Sequence, residues 1–191
     1  DFASATYNVD ISVYEARELK QKWREQWPEM RLYFKLIGSM MKGFDDRGQT
    51  VGDMEQFVSG RIRGRTRYCA MANGFFQGLA ADGAKPALYA LQKESYLQRG
   101  RLYGSRVVAF FYDEFFMEHP IETAAERAQI QADIAIQEMQ QICTDVKITA
   151  EPALQECWYK AAESVYNKAG RLIHWQPKPQ EDYYDRGGKL V

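Results

Sequence analysis

Apolar residues recur at Ala16, Leu19, Trp23 and Trp27, steps of three or four that draw one stripe along a helix and predict a buried face. Ser12-Val13-Tyr14-Glu15 has the spacing of a capping box, which places the start of that helix. Pro28 should break it and sit in the first turn of the next helix, whose stripe runs through Met30, Phe34, Ile37 and Met41. These Trp and Met residues read as packing. From Gly43 to Gly64 the pattern dissolves into Gly, Asp and Arg, as in a loop or irregular hairpin joining two helical units. Small residues and helix formers then predict a helix from about Thr66 towards Tyr96. In it Gly74, Gly78 and Gly83 would admit another backbone, and Pro86 would make a kink. Val107-Val108-Ala109-Phe110-Phe111, then Tyr112-Asp113-Glu114, then Phe115-Phe116-Met117 read as strand, tight acidic turn and returning strand. Thr123-Ala124-Ala125-Glu126 is a second capping box, opening a helix with a stripe at Ala128, Ala132, Ala135, Met139 and Ile142. Val146 to Thr149 alternates like a strand. Beyond about Pro177 the chain turns polar and acidic, then Gly-rich, as in a tail or docking arm. The expected class is α+β, with helices against one face of a hairpin-built layer.

Composition narrows this picture. The chain has 191 residues, of which 46% are hydrophobic and 14% aromatic, enough for one medium domain or two subdomains and too apolar for disorder. A net charge of −1 means that any nucleic-acid binding must use a local basic patch. Three scattered cysteines, Cys69, Cys143 and Cys157, fit a reducing compartment and form no CxxC metal site. No apolar run approaches 18 residues and no signal-peptide pattern is present, so the expectation is a cytoplasmic protein without a membrane partner. The first residue is Asp1 rather than Met, so the chain is expected to be a piece of something longer.

Three groups of residues carry candidate chemistry. Asp113 and Glu114 at a hairpin tip would present hard oxygen ligands to Mg²⁺, or they are simply the polar residues of an ordinary turn. Arg61, Arg63, Arg65 and Arg67 are spaced by two, so in an extended strand all four guanidinium groups would leave one face, a ladder suited to phosphates. The same spacing also suits a charged, aggregation-resistant edge, with Asp45, Asp46, Asp53 and Glu55 near enough to pair some arginines. Asn73 and Gln77, four apart on one helix face, can donate to acceptors that every base pair shows in the minor groove. Alternatively they hydrogen-bond within the protein.

The pattern Asn73-x-x-x-Gln77-Gly78-x-Ala80-Ala81-Asp82-x-x-Lys85, followed by a strand ending in Tyr112-Asp113-Glu114, resembles the C-terminal part of a family A DNA polymerase. This is the family of bacterial DNA polymerase I and many bacteriophage replicases. The likeness extends to Trp27-Pro28-Glu29-Met30, Glu151-Pro152-Ala153-Leu154 and Trp158-Tyr159-Lys160, and it suggests the phage branch. The resemblance implies that Asp113 is the palm carboxylate binding the catalytic Mg²⁺ ions, two in the complete site, with Glu114 its acidic neighbour in a lesser role. Such ions stabilise charge on the attacking 3′-oxygen and the departing pyrophosphate. It further implies that Asn73 and Gln77 touch the minor groove at the primer terminus, and that Asp82 and Lys85 place the helix. Tyr112 stands where the family usually has His, and would keep a hydrogen bond near the primer end. Cys69 stands where bacterial members carry Arg. Arg61, Arg63 and Arg65 would lie where duplex backbone passes.

The implied partners are primer-template DNA, a dNTP, and an N-terminal polymerase fragment or upstream domain. Nothing here matches the palm strand Asp-Tyr-Ser-x-x-Glu or the nucleotide-binding fingers helix. The resemblance therefore implies residues 1–64 as a helical distal-fingers segment with a Gly/Arg-rich connector. Residues 65–176 would be an incomplete palm with the primer-contacting helix and the acidic hairpin, and 177–191 a polar tail. A chain lacking one bridging carboxylate should be inactive alone and leave a hydrophobic sheet edge open, as in a split polymerase or an excised fragment. If phage-encoded, it would work in the host cytoplasm. The alternatives are a non-catalytic DNA-binding or assembly protein on a decayed palm, and a single-subunit RNA polymerase, which the Gln77–Asp82 motif disfavours.

Overall fold

Ser12 caps the first helix by the exchange its sequence requires. The Ser12 hydroxyl oxygen accepts from the Glu15 amide at 3.2 Å, and the Glu15 carboxylate accepts from the Ser12 amide at 2.8 Å. The hydrogen bonds from Ser12, side chain first and then backbone, hold the Glu15 carboxyl below its usual range. This α1 spans Val13–Gln26, Pro28 stands between, and α2 spans Glu29–Met40. The computed structural model describes residues 10–177, and the chain falls into two compact units that divide between Gly78 and Leu79. The dividing point falls inside a helix, and residues 64 and 65 both lie in a strand.

In the first unit, the expected burial of the α1 stripe is corrected. None of its residues is buried among the described part of the chain, and Leu19, Trp23 and Trp27 are each about half exposed. Periodicity gave α1 an apolar face, but its aromatic contact is Trp23 with Phe34, 6.3 Å between ring centres. The second stripe does reach a core: Ile37 is fully buried with Met54, Met71 and Phe75. The stretch read as a loop or irregular hairpin is a three-stranded antiparallel sheet: β1 Gly43–Phe44, β2 Thr50–Glu55, β3 Ile62–Arg67, in that order. Asp45 closes the first turn by accepting from the Arg47 and Gln49 amides, and Gly48 supplies the φ of +71° there. Gly52 is obligatory, because a Cβ at that position would lie 2.1 Å from the Met40 carbonyl oxygen.

The long helix α3 spans Tyr68–Tyr96, close to the expected bounds, and continues through Pro86. Its first turns belong to the first unit and its remainder to the second. There Leu91 and Leu102 are fully buried with Ile134, against Val107, Phe115, Met117 and Ile130. β4 Arg106–Phe111 and β5 Glu114–Glu118 form an antiparallel two-stranded sheet, and α4 Ala124–Ile142 covers one face of it. Ala128, Ala132 and Ala135 of the expected stripe are buried, joined by Ile134. Gly83 lets α4 come near, its Cβ position being 3.6 Å from the Met139 Cα.

Two local expectations fail in this unit. Thr123 makes no side-chain cap; a 3₁₀ turn over Ile121–Thr123 precedes α4, and the Thr123 hydroxyl donates to the Pro120 carbonyl instead. Val146–Thr149 is not a strand. The Gln140 side chain donates to the Val146 carbonyl at 2.9 Å and accepts from the Ile148 amide at 3.0 Å, occupying backbone groups that a ladder would need. Short strands β6 Val165–Tyr166 and β7 Leu172–Ile173 follow. All three cysteines are free; burial of Cys143 raises its thiol pKa. Of the expected tail, only Pro177 lies within the described residues.

Candidate nucleic-acid interface and acidic turn

The first unit brings four of the candidate residues to neighbouring positions along α3. Asn73 and Gln77 are exposed, and among the described residues neither side chain makes the internal hydrogen bond that their spacing left open. Gly74 and Gly78 follow them and form notches in the helix. The Arg63 guanidinium lies 3.5 Å from the Cβ position of Gly74, and Arg61 donates to the Gly78 carbonyl at 3.1 Å. What the notches admit is therefore side chains rather than another backbone. Beneath them, buried Gln56 donates to the Phe75 carbonyl at 2.8 Å and holds its own carbonyl oxygen 2.6 Å from where a Gly78 Cβ would be.

The expected four-arginine ladder does not form. Met54 pairs with Arg63 but Gly52 pairs with Thr66, so β3 carries one extra residue against β2. That bulge, with Arg65 at a left-handed φ of +51°, transfers Arg67 to the face opposite Arg63. Arg65 pairs with Asp46 at 3.1 Å and Arg67 with Asp45 at 2.8 Å. The Asp45 carboxyl lies below its usual range, chiefly through the hydrogen bond from the Gln49 amide, with Arg67 adding to it. The Arg65–Asp46 pair is exposed on both sides and worth below about 1 kcal/mol, so a phosphate could displace the carboxylate.

The second unit holds the acidic turn. Phe111 and Glu114 are the last cross-strand partners, leaving Tyr112 and Asp113 as a two-residue turn with Glu114 already in β5. Tyr112 adopts a φ of +55°, is 84% exposed and meets Phe111 edge-on. A non-glycine residue in this region costs on the order of 1 kcal/mol. Asp113 and Glu114 are both exposed. Alternation along β5 sends Phe115 and Met117 into the core and leaves Glu114 and Phe116 on the outer face. Val108 and Phe111 are also more than half exposed, and among the described residues no third strand pairs with this hairpin.

Two carboxylates at one tip are hard oxygen donors of the kind that suits Mg²⁺. Among the described residues no group of three or more His, Cys, Asp or Glu side chains converges. Asp82 is buried beside Lys85, 3.6 Å apart.

Sequence reasoning missed two features here. Trp158, 44 residues from Glu114, points its indole N–H at the Glu114 carboxylate at 3.4 Å and sets its ring edge-on to Phe116. His119, half-buried just past β5, bridges Ser105 and Gln131 at 2.9 and 3.0 Å. Neither follows from periodicity, since each joins residues far apart in the chain.

No protein-family profile matches this chain, and no curated protein matches it. Among the described residues no helix is long and apolar enough to cross a membrane.

Proposed function

We propose that the chain is the C-terminal portion of a template-directed DNA polymerase that extends a primer 3′ end with dNTPs, together with an upstream fragment. The observation that most supports this reading is the exposed amide pair Asn73–Gln77, which hydrogen-bonds to no other described residue, with Arg61 and Arg63 from the preceding segment reaching the same helix at Gly78 and Gly74. Amides that donate to base-edge acceptors without reading sequence, beside guanidinium groups that neutralise phosphates, suit a duplex end of any sequence. Asp113 and Glu114 offer the second element, hard oxygens at a stiff tip that would hold Mg²⁺. When bound, such ions stabilise charge on the attacking and leaving oxygens. Tyr112, raised at the same tip, would donate a hydrogen bond to the primer-terminal nucleotide. The missing carboxylate strand and fingers helix make the isolated chain inactive in this reading.

Primer-template binding by fluorescence anisotropy across a salt series tests the face. Arg61→Ala and Arg63→Ala should weaken binding equally on all sequences and each flatten the salt dependence by about one unit of slope. Gln77→Ala should mainly weaken extension from the primer end in the reconstituted complex. A salt slope that neither arginine alters would sink the assignment.

A second reading, a non-catalytic DNA-binding or assembly protein, is favoured by one observation. The arginine–amide face is complete within a unit that does not contain the acidic turn. Under that reading DNA binding survives Asp113→Ala, and no upstream fragment yields extension.

A further inference from the structure

We propose that His119 is a proton-sensitive fastener holding the acidic hairpin to α4. Ser105 immediately precedes β4 and His119 immediately follows β5, so both feet of the hairpin meet in one hydrogen-bonded relay. The relay has a single direction. Gln131 donates through its amide N–H to the Phe115 carbonyl at 2.7 Å, so the oxygen of that amide is what faces the His119 Nε2 at 3.0 Å. His119 therefore carries its proton on Nε2 and offers Nδ1 as acceptor to the Ser105 hydroxyl at 2.9 Å. Arg127 completes the chain, donating to the Ser105 oxygen at 2.8 Å and to the Tyr103 carbonyl at 2.6 Å.

Every link is satisfied only while the imidazole is neutral. A proton added at Nδ1 would turn the ring into a second donor to the Ser105 oxygen beside Arg127, and the serine hydrogen would lose its acceptor. Two cationic groups would then share one oxygen, each within 3 Å of it. Charged groups stand on each surrounding element: Arg106 in β4, Glu118 ending β5, Glu122 in the 3₁₀ turn and Arg127 in α4. Of these, Arg127 is the one that bears electrostatically on the ring. Burial, countered in part by Gln131 and reinforced by Arg127, lowers the His119 pKa from its ordinary value. Relief comes most cheaply by parting Ser105 and His119 from α4, which loosens both feet of the hairpin together. The tip bearing Asp113 then loses its fixed aim.

NMR titration of the full chain from about pH 8 to about pH 5 tests this, with His174 as the second imidazole for comparison. His119 should titrate below about 6.5. The amides of Ser105 and Phe115 and those of the Tyr112–Glu114 tip should shift with the same midpoint. Ser105→Ala removes the donor that favours the neutral ring, and Gln131→Glu adds a charge that favours the protonated one, so each should move the midpoint upward. Hairpin amides that stay fixed while His119 titrates overturn the proposal, as does a midpoint that Ser105→Ala leaves unchanged. This readout needs no polymerase activity and stands or falls apart from that reading.

Discussion

The arginine–amide face of the first unit and the acidic tip of the second are built by opposite means. The face is supported from directly beneath: Met54 and Gln56 fill glycine notches in α3, and Ile37, Met71 and Phe75 close the core behind them. The tip is more open, with Tyr112, Asp113 and Glu114 exposed; it is held by the Ser105–His119 contact at the feet of the strands, by Gln131 at the Phe115 carbonyl and by the Trp158 indole at Glu114. If the face meets a long, regular duplex, as proposed, it gains from rigidity across its whole width. A pair of carboxylates needs only aim, which two strands and a relay at their base can supply.

Perturbing each support separately should separate the two regions, and the largest effect belongs to the second. Leu102→Ala empties a fully buried position and should cost about 2–5 kcal/mol in urea unfolding, degrading the tip while leaving the Asn73–Gln77 amides in place by NMR. Loss of both regions together would show that they depend on one core. Gly78→Ala attacks the face, since its Cβ meets the Gln56 side chain at 2.6 Å and disturbs a buried hydrogen bond; a loss of about 1–3 kcal/mol and weakened DNA binding are expected.

Between about pH 7.5 and 5.5 acid should act on the second region, because the lowered carboxyls of Glu15 and Asp45 in the first unit titrate below that window. Because the folded-state pKa of His119 lies below its unfolded value near 6.5, the unfolded chain takes up the proton first as pH falls. The contribution of the neutral ring is thus fully present above about 6.5 and is lost as pH drops through the folded-state pKa. Urea midpoints at about pH 7.5 and 5.5 should show this fall in the native chain and a smaller one in His119→Gln. The smallest effect is at Tyr112: Tyr112→Gly relieves the left-handed backbone and should change stability by less than about 1 kcal/mol, in the stabilising direction, by thermal melting.

Legibility in the sequence followed the range of the interactions. The Ser12 capping box, the long helix from Tyr68 and the acidic hairpin depend on neighbours within a few residues, and their spacing alone locates them. The Thr123 box has the same letters but loses to the turn that Pro120 begins. Periodicity assigned α1 an apolar face without saying what covers it, and Trp23 and Trp27 are half exposed. The arginine ladder assumed uninterrupted alternation, which one extra residue in β3 destroys. The His119 relay joins residues 12 to 24 positions apart, and no local pattern encodes that.

Primer extension by this chain combined with an upstream fragment carrying the missing carboxylate strand and fingers helix tests the central claim most directly. Asp113→Ala should abolish extension while primer-template anisotropy on the same sample is unchanged. Extension that persists in Asp113→Ala would contradict the account.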